Sequence, residues 1–225
     1  LEHLNNLEPI KKTIQLDRNQ PEFKMTLKKY LDRLISKRRI EKGIKELKNN
    51  KKLLDEISNQ YNVQSRFIIA LWAIESDFGQ NMGNFNVLQS LITLAYDGRR
   101  SKYFRNELIS ALKIIEFQMV KDQNLVGSWA GAMGQCQFMP SAFLSFSQDW
   151  DGDGYKDIWS NRGDIFASIA NYLKHAGWNS NYTWGRKVNI SFLSNNSKMI
   201  KEKKFLSDWS ALGVKTLDNL NLPDV

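Results

Sequence analysis

Phe-Ile-Ile-Ala-Leu-Trp-Ala-Ile-Glu-Ser-Asp-Phe-Gly, residues 67–79, is the most informative stretch of this 225-residue chain. Its first eight residues carry no charge, so they predict a buried helix, and Gly79 suits a left-handed residue that ends it. Glu75 then sits at the end of an apolar helix, where burial raises the pKa of a carboxyl group. A carboxylic acid still protonated near neutral pH is what general-acid catalysis requires. Alone, the stretch leaves two interpretations of Glu75 open, a catalytic acid or a structural carboxylate that meets an arginine or a helix cap.

The composition is that of a globular protein and limits the chemistry. Hydrophobic residues make up 42% of the chain and charged residues 25%. One cysteine, Cys136, and two histidines, His3 and His175, argue against disulfides, histidine-dependent nucleophiles and histidine-rich metal sites. We therefore expect Cys136 to be a small packing residue. No run approaches 18 apolar residues, so no membrane span is predicted.

The net charge of +8 favours an anionic partner, such as nucleic acid, anionic lipid or an acidic cell-wall polymer. The densest basic stretch covers residues 36–52. Apolar residues recur through it at helical spacing, at Ile35, Ile40, Ile44 and Leu47. This pattern favours the solvated face of an amphipathic helix over a nucleic-acid-binding arm.

The remaining pattern predicts one mainly α domain over residues 1–225, with little β structure. Apolar spacing predicts helices near residues 22–34, 37–48, 51–60, 64–77, 85–95, 101–117, 140–147 and 164–176. Asp164 is the expected N-cap of the last helix. Residues 149–163 and 178–200 are rich in Asp, Gly, Asn and Ser and predict loops, with a weak strand candidate at Lys187–Phe192.

A second feature is Gly127–Pro140, where three glycines and two alanines let the backbone approach a ligand or a neighbouring helix closely. Ser128, Gln135 and Gln137 are neutral hydrogen-bonding residues of the type that bind sugar hydroxyl and acetamido groups. A tight turn that serves packing alone remains the alternative.

A third feature is the acidic run Asp149–Asp157. Carboxylates stand at positions 1, 3 and 5 and a glycine at position 6, as at the start of a calcium-binding loop. The usual glutamate at position 12 is replaced by Ser160, and Asp164 is the candidate for the closing oxygen. The alternative is a turn without a metal ion. The predicted ligands are Asp149, Asp151, Asp153, the backbone carbonyl of Tyr155, and Asp164.

These features, in this order, closely resemble the lytic murein transglycosylase B family over roughly residues 12 to 190. The motifs that carry the resemblance are Gln20–Phe23, Tyr30–Arg33, Glu75–Gly79, Thr93–Arg100, Gly127–Pro140, Asp149–Asp153, Ser168–Leu173 and Gly177–Trp178. The resemblance implies a lysozyme-like α domain of the goose type. It also implies cleavage of the β-1,4 bond between N-acetylmuramic acid and N-acetylglucosamine without water, which leaves a 1,6-anhydromuramic end.

By matching position, the resemblance makes Glu75 the catalytic acid and then base. It implies that Ser128, Gln137, Tyr172 and, by a looser match, Tyr30 contact the glycan. The calcium ion is expected to be structural, and no cofactor is expected for catalysis. Asp77 is two residues along the helix from Glu75 and points away from it, so a role at the helix end is favoured.

The resemblance further implies a monomer in the periplasm of a Gram-negative bacterium, with peptidoglycan glycan strands as partner and no nucleic acid. Peripheral or lipid-anchored membrane association would not be encoded in these residues. The family's catalytic domain normally continues beyond the Leu222-Pro223 segment, so we expect a chain that is short at its C-terminal end. The alternatives are a muramidase that hydrolyses the same bond, a non-catalytic peptidoglycan-binding module and, from the charge alone, a nucleic-acid binder.

Overall fold

A computed structural model describes residues 8–19, 25–121, 125–182, 185–190 and 202–223. The chain divides into two compact units, residues 1–179 and residues 180–225. The single domain expected over residues 1–225 stays a prediction.

The first unit is mainly helical. Its helices are α1 (Lys11–Arg18), α2 (Leu27–Leu34), α3 (Lys37–Asn49), α4 (Lys51–Tyr61), α5 (Ser65–Ser76), α6 (Val87–Asp97), α7 (Ser101–Glu116), α8 (Pro140–Phe146) and α9 (Arg162–His175). Strand β1 (Phe85–Asn86) pairs antiparallel with β2 (Val126–Gly127), with Phe85 opposite Gly127. The prediction of a mainly α fold with little β structure is confirmed in the described residues.

The second unit has less regular structure in its described part. It contains β3 (Val188–Asn189), α10 (Leu206–Ala211) and β4 (Lys215–Thr216). The two strands pair antiparallel, with Val188 opposite Thr216. The buried side chains of Val214 and Leu222 pack with Val188, Leu206 and Trp209. The strand predicted at Lys187–Phe192 is thus confirmed at Val188–Asn189, and its last two residues lie outside the described ranges.

Helix α5 runs through the core of the first unit. Ile68 and Trp72 have no exposed surface, and the ring of Trp72 meets the rings of Phe78 and Phe166 edge-on at 5.1 and 5.2 Å between centroids. Buried apolar residues of α4, α6, α7 and α9 belong to the same cluster. The apolar run of residues 67–74 therefore forms the buried helix that its composition predicts.

The starts of three helices differ from the predictions by two residues or more. Helix α2 begins at Leu27 and not near residue 22, because the Thr26 side chain accepts a hydrogen bond from the Lys29 N–H and caps the helix there; residues 22–24 of the prediction lie outside the described ranges. Helix α6 begins at Val87 because Phe85–Asn86 pairs with β2, and the Asn86 side chain accepts a hydrogen bond from the Gln89 N–H. Helix α9 begins at Arg162, and its N-cap is Asn161, whose side chain accepts from the Gly163 and Asp164 N–H groups. The prediction that Asp164 caps this helix is therefore wrong.

Two short helices, α1 and α10, were not predicted, because few apolar residues recur in them. Among the described residues, no helix is both long and apolar enough to cross a membrane.

Candidate active site

The site begins where helix α5 ends. The helix stops at Ser76, and Asp77, Phe78 and Gly79 follow with φ of 49°, 63° and 82°. The Ser76 hydroxyl oxygen accepts a hydrogen bond from the Gly79 N–H at 3.0 Å, which closes the reversal. Gly79 is left-handed as predicted, but the turn starts two residues earlier, at Asp77. The chain therefore reverses sharply directly after Glu75.

Position 79 needs a glycine for two reasons, its left-handed backbone and its close contact with Gln135. A Cβ atom at this position would collide with the side-chain amide of Gln135. That amide accepts a hydrogen bond from the Trp72 indole N–H at 2.8 Å and donates one to the Trp159 carbonyl at 2.6 Å. Gln135 is buried and joins α5 to the segment before α9, so its amide is used within the protein.

Glu75 is the one acidic residue of α5, and it reaches solvent. Within the described residues, its carboxyl group has no hydrogen-bond or ion-pair partner. The surrounding protein removes part of its hydration, and this burial raises the pKa of Glu75, with no contribution from a neighbouring charge. The described surroundings thus favour a protonated carboxyl group that is free to meet a ligand.

Cys136 lies within electrostatic reach of Glu75. Burial raises the pKa of the Cys136 thiol strongly, and the charges of Glu75 and Asp164 raise it further. Its sulfur lies 3.5 Å from the Ile165 carbonyl oxygen in the core. Cys136 is therefore an unreactive packing residue, as expected.

Asp77 has the opposite environment. Its side chain is buried and accepts hydrogen bonds from Arg38 at 2.7 Å and Arg39 at 3.4 Å, while Lys42 donates to its backbone carbonyl at 3.4 Å. Burial alone would raise the pKa of Asp77, but the hydrogen bonds and charges of the two arginines outweigh it and lower that pKa. The predicted helix-end position of Asp77 is confirmed.

These arginine contacts are not predicted by the sequence pattern. The spacing of residues 36–52 predicts a solvated helix face, whereas Arg38, Arg39 and Lys42 hold the residue that ends α5. The signal that could have found them is Asp77 itself, because a carboxylate inside an apolar stretch needs a cationic partner.

The Gly127–Pro140 segment folds against the loop that follows α5. Gly127 pairs with Phe85, and a Cβ atom on Gly83 would collide with the Gly127 backbone. Gln137 donates from its side-chain amide to the Met82 carbonyl at 3.1 Å and the Gly134 carbonyl at 2.9 Å. The glycine-rich composition therefore serves a close approach of two backbones, and it ties Gln137 to the reversal after Glu75.

The predicted glycan-contacting residues differ in how they are held. The Ser128 hydroxyl oxygen accepts from the Ala130 and Ala132 N–H groups at 3.3 and 3.0 Å, which leaves its proton for another acceptor. The amide oxygen of Gln137 has no hydrogen-bond partner in the described part of the chain. Both residues therefore present hydrogen-bonding capacity that the protein does not use.

Tyr172 lies on α9 and has 36% of its surface exposed. Its ring packs against Phe138 and Phe146, with centroids 5.6 and 5.3 Å apart, and its hydroxyl group has no hydrogen-bond partner among the described residues. Phe138 follows Gln137 directly, so this contact links α9 to the Gly127–Pro140 segment. Tyr30 is exposed on α2, and no described contact joins it to these residues.

The acidic loop brings three of its predicted metal ligands together. Carboxylate oxygens of Asp149, Asp151 and Asp153 lie within 4.8 Å of one another. Asp149 accepts hydrogen bonds from the Gly152 and Gly154 N–H groups, which curls the loop around the cluster. Lys121 donates to Asp153 at 2.6 Å, so one lysine contacts a group of three carboxylates. An excess of negative charge at this spacing suits a divalent cation with oxygen ligands.

Asp164 does not join the cluster. It is fully buried, and its two oxygens accept hydrogen bonds from the backbone N–H groups of Trp150 at 2.8 Å and Asp157 at 2.7 Å. The prediction that Asp164 supplies the closing ligand is corrected accordingly, because its carboxylate instead ties both ends of the loop to α9. The backbone carbonyl of Tyr155 stays a predicted ligand.

A protein family and a sequence relative that match this chain are both described as transglycosylases. The family described as Transglycosylase SLT domain matches residues 1–224. Membrane-bound lytic murein transglycosylase B of Escherichia coli (strain K12) is 32% identical over 151 residues, which is 67% of this chain and 42% of the relative.

Two solved proteins extend the comparison to structure. SltB3 from Pseudomonas aeruginosa, in complex with NAG-NAM-pentapeptide, superimposes with a TM-score of 0.90 at 38% identity, over 97% of this chain and 59% of its own. SltB3 is also known in complex with NAG-anhNAM-pentapeptide. Escherichia coli lytic transglycosylase Slt35 in complex with calcium gives a TM-score of 0.79 at 28% identity, over 96% of this chain and 69% of its own.

These similarities confirm the lysozyme-like fold that the sequence predicts. The chain spans 42% of the length of the curated relative and 59% of the SltB3 chain.

Proposed function

Because this chain belongs to the transglycosylase SLT domain family, we propose that it is a peptidoglycan lytic transglycosylase. Its substrate is the β-1,4 bond between N-acetylmuramic acid and N-acetylglucosamine, and its product is a 1,6-anhydromuramic end. The observation that carries the proposal is Glu75, a carboxyl group with no partner among the described residues and a raised pKa. The SltB3 complexes with NAG-NAM-pentapeptide and NAG-anhNAM-pentapeptide support this choice of substrate and product.

In the first step, protonated Glu75 donates its proton to the glycosidic oxygen as the bond to the muramic acid carbon breaks. The acetamido group of the substrate stabilises the cationic centre that forms. A raised pKa favours this step, because it keeps a larger fraction of Glu75 protonated at a given pH.

In the second step, ionised Glu75 removes the proton from the C6 hydroxyl group of the same muramic acid residue. The C6 oxygen then bonds to the cationic carbon and closes the anhydro ring. The proton that left Glu75 in the first step is thereby replaced, so one carboxyl group serves as acid and then base.

A second catalytic carboxylate is not needed, unlike in the usual paired-carboxylate glycosidases. Asp77, the nearest along the chain, is engaged by Arg38 and Arg39. Its lowered pKa keeps it ionised, so it does not serve as a proton donor.

We propose that Ser128, Gln137 and Tyr172 contact the glycan. The proton of Ser128, the amide oxygen of Gln137 and the exposed ring of Tyr172 supply a donor, an acceptor and an apolar surface for sugar binding. Tyr30 is a fourth proposed glycan contact with less support. It lies exposed on α2, and no described contact joins it to Ser128, Gln137 or Tyr172.

We propose that a structural calcium ion binds the acidic loop through Asp149, Asp151, Asp153 and the Tyr155 carbonyl. The calcium complex of Slt35 supports this proposal. The ion would hold the loop whose ends Asp164 ties to α9. Calcium should raise the melting temperature of the chelated protein, and Asp151→Asn should abolish that rise. An equal rise in Asp151→Asn, or no rise in the parent, would make the loop an ordinary turn.

The same proposal gives the place of action. Membrane-bound lytic murein transglycosylase B of Escherichia coli acts on murein according to its name. We propose that this chain likewise acts on periplasmic peptidoglycan strands, as a monomer.

The test is digestion of purified peptidoglycan followed by mass spectrometry of the muramic acid ends. Anhydro ends are expected from the parent chain and from Glu116→Gln, a control that changes an exposed glutamate on α7. Glu75→Gln should form anhydro ends on the order of 10³-fold more slowly. Reducing ends would indicate a muramidase, and binding without cleavage would indicate a non-catalytic peptidoglycan-binding module.

A further inference from the structure

The net positive charge of the chain is concentrated in one segment. Residues 27–52, which form α2, α3 and the start of α4, hold 11 of the 32 Lys and Arg residues but 3 of the 24 Asp and Glu residues. This segment therefore carries a formal charge of +8, and the rest of the chain sums to zero. The net charge is thus concentrated in α2, α3 and the first residues of α4.

Helix α2 carries an apolar face that the protein leaves open. Leu27, Tyr30, Leu31 and Leu34 fall within about 100° of the helix circumference, and Lys28, Lys29, Asp32 and Arg33 occupy the other side. No residue of α2 is buried, and Leu27 and Leu31 are 72% and 41% exposed. An amphipathic helix normally buries such a face, so this one is available to an external apolar phase.

The apolar surface continues onto α3 and α5. Ile35, Ile40 and Ile44 are each at least half exposed, at 56%, 50% and 53%. Ile40 and Ile44 line an open groove of about 360 Å³ between α3 and α5, together with Leu34 of α2 and Ile74, the residue before Glu75. The apolar residues of three helices therefore form one exposed patch.

The basic residues of the segment 27–52 fall into three groups. Arg38, Arg39 and Lys42 hold Asp77. Three lysines pair with an acidic residue one turn along their own helix, as Lys28–Asp32, Lys37–Glu41 and Lys51–Asp55. The others have no acidic partner in the described part of the chain, and these are Lys29, Arg33, Lys45, Lys48 and Lys52. Five cations thus remain for an external anion.

We propose that α2 and α3 form a docking surface for an anionic phospholipid bilayer. Exposed leucine and isoleucine side chains would enter the boundary between headgroups and acyl chains, and the unpaired lysines and Arg33 would meet the headgroup phosphates. The proposal assigns membrane contact to this chain itself, and it does not depend on the proposed catalytic activity.

Charge decides between the possible occupants of this surface. A second copy of the chain would bring another +8 segment against the first, and like charges would repel. A purely apolar partner would leave five lysine and arginine charges without a counterpart. A bilayer with anionic headgroups supplies an apolar layer and a dense anionic layer side by side, in the arrangement that the patch presents.

The test is co-sedimentation of the 225-residue chain with two kinds of vesicle, phosphatidylcholine alone and phosphatidylcholine mixed with phosphatidylglycerol. Binding to the mixed vesicles should be strong, should weaken with added salt, and should be weak on phosphatidylcholine alone. The triple variant Lys29→Glu, Lys45→Glu, Lys48→Glu should lower the partition coefficient on the order of 100-fold. Leu27→Ser with Ile35→Ser should lower it at least about 10-fold, because two exposed apolar side chains are lost.

Matched controls carry the same chemical changes elsewhere on the first unit. The triple variant Lys102→Glu, Arg105→Glu, Lys113→Glu makes an equal change in net charge on α7. The double variant Ile109→Ser, Phe117→Ser removes two other exposed apolar residues, which are 47% and 62% exposed. Both controls should keep most of the binding.

Three results would overturn the proposal. The first is no binding to mixed vesicles, and the second is an equal loss in the α7 controls. The third is that the parent chain binds soluble polyglutamate or peptidoglycan sacculi and the Lys29→Glu, Lys45→Glu, Lys48→Glu variant does not, while both bind vesicles equally. That last result would assign the surface to a soluble polyanion or to the cell wall.

Discussion

Glu75 and Asp77 stand two residues apart at the C-terminal end of α5, but their surroundings are opposite in kind. On one side, Glu75 reaches solvent without a partner among the described residues, and burial raises its pKa. On the other side, buried Asp77 accepts hydrogen bonds from Arg38 and Arg39, which lower its pKa. One helix end thus holds a carboxyl group suited to proton transfer beside a carboxylate suited to fixing the backbone.

The difference comes from what each side chain meets. The left-handed turn at Asp77 directs this residue towards α3, where three basic residues collect around it. The same turn follows Glu75 by two residues and leaves it near the end of an apolar helix, without a described partner. The fold thus gives two carboxyl groups different roles: Glu75 is suited to the proposed proton transfer, and Asp77 holds the end of α5 to α3.

The largest expected effect is loss of activity in Glu75→Gln. The amide cannot donate and then accept a proton, so the rate of anhydro-end formation should fall on the order of 10³-fold. Asp77→Asn keeps Glu75 and should retain measurable activity. Rates on purified peptidoglycan provide the measurement, and comparable losses in the two variants would remove the distinction between the two sides.

The next effect is on stability. Asp77→Asn should lower the free energy of unfolding at neutral pH by about 1–2 kcal/mol, because Arg38 and Arg39 lose a charged acceptor and one of its two oxygens, while exposed Arg38 remains hydrated. Since Asp77 has a lowered pKa in the folded state, its contribution exists above the unfolded pKa of about 3.9 and is lost as the pH falls through the folded pKa.

Urea unfolding at neutral and acidic pH measures this effect. Asp55→Asn, which removes the exposed partner of Lys51, is the control and should cost less than about 0.5 kcal/mol. An unaltered unfolding curve for Asp77→Asn at neutral pH would show that the arginine contacts do not stabilise the helix end.

A third test separates the stability cost of the left-handed backbone at Gly79 from the cost of its contact with Gln135. Gly79 and Gly98 have similar φ, 82° and 88°, but a Cβ atom would meet Gln135 at the first and nothing within 4 Å at the second. Gly98→Ala should therefore cost about 1 kcal/mol from backbone strain alone. Gly79→Ala should cost about 1 kcal/mol more, because the Trp72–Gln135 hydrogen bond is displaced. Equal losses in thermal unfolding would mean that Gln135 adapts without cost.

The smallest effect is a gain in stability on the Glu75 side. Folding raises the pKa of Glu75, so its ionisation opposes folding as the pH rises from the unfolded value of about 4.3 through the folded value. Glu75→Gln should therefore be slightly more stable at neutral pH, by less than about 1 kcal/mol because the side chain is exposed to water. The gain should disappear below pH of about 4. A loss of stability at neutral pH would indicate that Glu75 has a stabilising partner.

Much of this site could be predicted from the sequence because its signals are local. The apolar run predicts α5, the glycine predicts a left-handed turn, and alternating aspartates predict the cluster of Asp149, Asp151 and Asp153. Each depends on residues within one helix or loop, whose spacing the sequence gives directly.

The parts that the sequence did not predict are contacts between distant segments. Arg38 and Arg39 meet Asp77 from a helix that begins 40 residues earlier, and Gln135 meets Trp72 across 63 positions. Asn161, and not the expected Asp164, is the N-cap of α9. Both residue types cap helices, and the tertiary contacts of Asp164 with Trp150 and Asp157 decided between them. Composition does not encode such pairings.

The most direct test of the central claim is a pH titration of the side-chain carboxyl carbons of Glu75 and Asp77 by ¹³C NMR, with Glu75→Gln and Asp77→Asn used to assign the signals. The two midpoints should move in opposite directions from the unfolded values of about 4.3 for Glu and about 3.9 for Asp, with Glu75 above its value and Asp77 below. A Glu75 midpoint at or below its unfolded value would contradict its assignment as the proton donor.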